Sequence, residues 1–131
     1  MSSTDQDVTA AGNERPCLWL TVGAGLAGAA GVALGAAAAH RVDSPALVTA
    51  STILMIHAVA VLVLATLPSR GFHRAGMFML VAVALFSGDI ALHTLAGSHI
   101  FPYAAPIGGS SLILSWLVVA GLGIVSAFGR R

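Results

Sequence analysis

The sequence specifies an all-α membrane protein, a transmembrane bundle of four helices joined by short loops, and three features lead there. Four apolar stretches, at 17–39, 45–67, 75–96 and 106–128, each run 22 or 23 residues and fill most of the 131-residue chain. A bilayer's hydrocarbon core is about 30 Å thick, which a helix rising 1.5 Å per residue crosses in about 20 residues. The chain is also 57% hydrophobic and only 8% charged, with a mean hydropathy of +0.93, where soluble domains run near 25% charged. Finally, none of the four stretches shows the polar face that each helix of a soluble bundle would turn to water.

Residues 1–14 are polar, lack apolar periodicity and read as a disordered tail; residues 15–131 form the membrane domain. The first stretch is too long for a signal peptide, whose apolar core spans about 7–15 residues after a basic start. Here the apolar run extends to Ala39, and Asp5, Asp7 and Glu14 outnumber Arg15. The first stretch therefore counts as a retained span. Along it Gly23, Ala27, Gly31 and Gly35 recur every four residues. Lipid chains are as apolar as leucine, so helices in a membrane associate through close backbone approach and hydrogen bonds. This stripe supplies close approach, to a helix of the same chain or of another copy.

Ser44 and Pro45 read as an N-cap followed by a proline at the first helical position, where no N–H is needed. The second stretch carries His57 near its middle and is broken from the third by Pro68, Ser69 and Gly71. The third holds Ser87, Gly88, Asp89 and His93. Pro106 is expected to open the fourth, which begins with Gly108, Gly109, Ser110 and Ser111 and continues through Ser115. Trp116 falls about 15 Å in from that end by helical rise, a depth at which an indole is expected to wedge between helices. Trp19 sits at the opposite edge, where its N–H can stay wet.

Six arginines and no lysine set the orientation. With four crossings, Arg15, Arg70, Arg74, Arg130 and Arg131 share one side and Arg41 stands alone on the other. An excess of basic residues marks the cytoplasmic face. Both termini are expected there, leaving 40–44 and 97–105 as the outer loops.

Asp89 is the side chain most in need of explanation. It stands about 10 Å below the outer surface, where a carboxylate is costly and must face the bundle interior or a partner. His93, one turn on, shares its face. His40 closes the first helix at the same level, and His57 lies deeper. With Ser87 and Ser110 these residues form a candidate intramembrane polar cluster: Asp89, His93, His40, His57, Ser87 and Ser110. The plainer reading is that each hydrogen-bonds a neighbouring helix and fixes the fold. His73 and His99 lie at interfaces or in loops, where solvation suffices.

No cysteine or carboxylate pair joins the histidines, so no metal site is assigned. Haem would need two histidines facing each other at one depth; only His40 and His93 come close, and no cofactor is expected. Phosphate loops, nucleophile triads and paired carboxylates are absent, so no catalytic residue is assigned and no enzyme is expected. A net charge of +1 suggests no nucleic-acid partner. Cys17 is the single cysteine and cannot form an internal disulfide.

Several segments, in order, resemble one family. Residues 34–40, LGAAAAH, and 55–62, MIHAVAVL, are similar to its small-residue run ending in histidine and its second-helix histidine motif. Residues 85–89, LFSGD, and 106–109, PIGG, followed by Trp116, resemble the motifs flanking its outer loop. The family is the uncharacterised four-span membrane family called domain of unknown function 423. The positions that match its motifs are His40, His57, Gly88, Gly108 and Gly109. The chain departs from the pattern at Asp89, where many members carry serine, and before His57, where Thr52 and Ile53 replace aromatic residues. The resemblance implies a bacterial inner-membrane protein and no particular activity.

The expected role is a non-enzymatic accessory or structural component, in contact with the lipid bilayer and associating with itself or with other membrane proteins. The alternative is a small proton-linked carrier or channel component in which Asp89 titrates and the histidines relay.

Overall fold

A computed structural model of the chain describes residues 16–41 and 43–129. The expected tail, Arg15, Arg130 and Arg131 lie outside the described residues. Four helices account for nearly all of the rest: α1 Leu18–His40, α2 Pro45–Thr66, α3 Arg70–Ala96 and α4 Ala104–Phe128. All four are long and apolar enough to cross a membrane.

Local chemistry explains the ends. Ser44 caps α2 by accepting a hydrogen bond from the Leu47 N–H at 3.4 Å, with Pro45 as the first helical residue. Helix α3 starts five residues before the apolar stretch, at Arg70, because Ser69 accepts from the Gly71 N–H and nucleates a turn of polar residues. Hydropathy marks where a helix meets lipid, not where it begins. At 27 residues, α3 projects beyond the hydrocarbon and carries Arg70 and Arg74 into the interface. Helix α4 also starts early: Tyr103, left-handed at φ 73°, turns the chain into it, and Pro106 is its third residue rather than its first. Proline is tolerated there because first-turn N–H groups have no acceptor within the helix.

The helices do not form a closed square. α2 and α3 lie against each other in the middle; α1 packs mainly on α2 and lightly on α3, α4 packs on α3, and the α1 and α4 backbones do not meet. Burial follows: 44% and 39% of the central spans of α2 and α3 are buried, against 11% for α1 and α4. Leu20, Leu54, Val61, Leu64, Met79, Val83 and Leu112 form the shared core.

Small residues set how near the helices come. Gly31 and Gly35 let α1 settle onto Ser51 and Met55 of α2, and the Ser51 hydroxyl donates to the Gly31 carbonyl at 2.7 Å. Gly23 faces Leu80 of α3, and Ala27 lies beside it over the α1–α3 groove. The stripe on α1 thus meets helices of its own chain. The tightest crossing is at Gly108, where an added Cβ would fall 2.6 Å from the Phe86 backbone nitrogen. Gly109 and Gly88 are looser, with Phe86 ring atoms at 3.5 Å and Ile100 Cδ1 at 3.7 Å respectively.

Candidate functional site

Two separate polar arrangements hold the buried ionisable residues, Asp89 and His57. The first is at the C-terminal end of α3. Gly97 follows the helix in the left-handed region, φ 69°, and its N–H bonds the His93 carbonyl. Only glycine adopts that conformation without strain. The reversal folds residues 98–100 back alongside the last turns of α3, over Gly88 and Asp89.

The returning loop closes on Asp89, which is 2% exposed. Oδ1 accepts from the Ile100 N–H at 2.8 Å and Oδ2 contacts His99 Nδ1 at 3.0 Å. The Ala105 N–H, in the first turn of α4, faces the same carboxylate. Backbone donors, an imidazole and the positive end of a helix dipole therefore compensate the carboxylate that bilayer burial would otherwise penalise. The His99 ring stacks on His93, centroids 4.1 Å apart and planes 12° apart. The row runs from a buried carboxylate through a half-exposed imidazole to an exposed one.

The second arrangement is at mid-membrane. His57, 6% exposed, places Nδ1 2.7 Å from the Ile53 carbonyl one turn back, while Trp116 Nε1 of α4 lies 3.1 Å from its Nε2. A carbonyl only accepts and an indole N–H only donates. These contacts assign the neutral ring with its proton on Nδ1. The Trp116 ring meets His57 edge-on and is itself 46% exposed, facing the bilayer rather than wedged between helices. The pair spans an apolar groove lined by Ile53, Phe86, Gly109, Leu112 and Ile113.

The six residues grouped from sequence do not share one patch. Asp89 is joined by His99 instead of His93, because the folded-back loop reaches its carboxylate while His93 lies on the far face of the His99 ring. His57 has its own partners in α2 and α4. Ser87 is fully buried and donates to the Ala50 carbonyl of α2 at 3.0 Å. Ser110 is exposed. His40 is exposed at the end of α1 beside Ala36, Ala37 and Arg41. His99 and the Ile100 N–H, passed over as loop, complete the Asp89 site. The glycine at 97 was the signal for them, since a C-terminal glycine turns the chain back on its helix. Among the described residues no three His, Cys, Asp or Glu side chains converge as a metal would require.

Residues 34–109 match the family described as protein of unknown function DUF423. That span runs from the end of α1 through the Asp89 loop to the Gly108 crossing. A UPF0382 membrane protein of Haemophilus influenzae is 35% identical over 99 residues, covering 68% of this chain and 80% of that protein. No solved structure matches the chain.

Proposed function

This chain belongs to the DUF423 family, and on that premise we propose that it is a non-enzymatic accessory or structural component of the membrane. One observation carries the reading: Ser51, His57, Ser87, Asp89 and Ser115, the buried polar residues among the described ones, are each hydrogen-bonded within the chain. Asp89 holds the outer loop, His57 ties α2 to α4 through Trp116, Ser51 ties α2 to α1, and Ser87 ties α3 to α2. Such groups join helices where lipid offers no hydrophobic drive. The arginine distribution favours both ends cytoplasmic, and the family likeness favours an inner membrane.

A proton-linked role has one observation in its favour, the graded row Asp89, His99, His93. Proteoliposomes separate the two. On the structural reading, the protein gives no proton flux above empty vesicles, and Asp89→Asn inserts and accumulates. A pH-dependent flux that Asp89→Asn abolishes, with folding intact, overturns it. Co-purification in mild detergent tests the accessory role: a companion membrane protein at fixed ratio supports it, and one homogeneous small species counts against it.

A further inference from the structure

We propose that the groove spanned by His57 and Trp116 binds a lipid-soluble ring compound through a hydroxyl group. The α2 and α4 backbones do not meet among the described residues. They flank Phe86 of α3 across a groove of about 290 Å³, with Ile53 and His57 on one wall and Gly109, Leu112 and Trp116 on the other. An apolar cavity of about 150 Å³ takes benzene, so this groove has room for one ring with a short chain. Phe86 and the Trp116 indole offer that ring aromatic neighbours. Trp116, 46% exposed, borders the groove on the bilayer side, so a ligand enters sideways from the lipid.

The two rings select the ligand's polar group. Trp116 Nε1 donates to His57 Nε2 at 3.1 Å, a bridge between helices whose backbones stand apart. A turn of the half-exposed indole therefore opens it. A hydroxyl is both donor and acceptor. Placed between the rings, its oxygen accepts from the indole N–H and its proton is donated to His57 Nε2. One hydrogen bond is exchanged for two and no buried group is orphaned. The hydroxyl gains both partners at a depth where acyl chains offer none. An ether or carbonyl oxygen accepts from the indole but leaves Nε2 without a donor. A plain acyl chain fits the walls and leaves the pair closed.

The indole N–H resonances of the full chain in detergent micelles test this, with Trp19 as internal control. 4-Pentylphenol should shift the Trp116 signal saturably and leave Trp19, outside the groove, unmoved. Its methyl ether, 4-pentylanisole, should need about threefold more, counted as mole fraction in the micelle, the worth of one hydrogen bond in a membrane. His57→Phe removes the acceptor and should erase that difference. Gly109 lines the groove, and an added Cβ meets the Phe86 ring at 3.5 Å, an ordinary contact. Gly109→Leu should therefore leave the helices in place and weaken binding of both probes. Equal affinity of the parent for the two probes overturns the proposal, and that comparison decides alone if His57→Phe does not fold. So does a selectivity kept in folded His57→Phe, binding untouched by Gly109→Leu, or Trp116 and Trp19 signals that move together without saturating.

Discussion

At the scale of single residues, Asp89 and His57 lie in apolar surroundings and use opposite devices. Asp89 retains two acceptor oxygens and gathers donors; His57 takes one tautomer and presents one donor and one acceptor. Asp89→Asn keeps an oxygen for the Ile100 N–H, and its amide can donate to His99 Nδ1 after a tautomer change. It should cost under about 1 kcal/mol. Asp89→Ala leaves the Ile100 N–H without its acceptor and should cost about 1–3 kcal/mol, read by thermal unfolding in detergent. Equal losses for both variants would mean that the charge itself, not the hydrogen bond, holds the loop. For the second pair, Trp116→Phe should cost about 0.6 kcal/mol, with about 1.7 as the ceiling for such bonds in membranes. Trp116 and Trp19 are the two tryptophans, so their indole N–H resonances can be told apart. The Trp116 signal should resist solvent exchange and lose that protection in His57→Phe. That Asp89 and His57 would need partners was legible from depth alone. Their partners were not, because His99 is brought in by a glycine turn and Trp116 by a helix fifty-nine residues away.

At the scale of elements, all four helices could be read from hydropathy, and the one well-marked N-cap, Ser44 with Pro45, stood where expected. The boundaries missed were those where helix and lipid part company, Arg70 and Ala104. The packing glycines were legible as a class but not in rank, since a stripe of small residues does not reveal which backbone it will meet. Structure supplies the rank. Gly108→Ala drives a Cβ against backbone, which cannot swing aside, and should cost about 1–3 kcal/mol as overpacking does. Gly121→Ala meets nothing within 4 Å and should be neutral or stabilising by up to about 1 kcal/mol through helix propensity. Unfolding by a strong detergent, monitored by circular dichroism, orders the two. If Gly121→Ala proved the costlier, α4 would have to pack through its outward face.

At the scale of the whole molecule, the pairing of helices in space was hidden from the sequence. Four similar apolar spans can close into a square or lie as a central pair with two flanks, and the choice rests on a few close contacts: Ser51 on Gly31, Ser87 on Ala50, Phe86 on Gly108. Orientation, by contrast, depends on the loops, which are visible in sequence. Arginines at 15, 70, 74, 130 and 131 stand against Arg41, and moving that many charges across a bilayer during insertion is the step the distribution opposes. On the proposed orientation the Asp89 site and the 97–105 loop face away from the cytoplasm, and Arg70 and Arg74 face into it. Cys17 is the single cysteine and sits at the arginine-rich end. In intact bacterial cells it should resist a membrane-impermeant maleimide. A Ser98→Cys change in a Cys17→Ser background should react, since Ser98 is exposed in the folded-back outer loop. Labelling of Cys17 with protection of position 98 would invert the bundle. The His93–His99 stack would then face the cytoplasm, and Arg70 and Arg74 the opposite side.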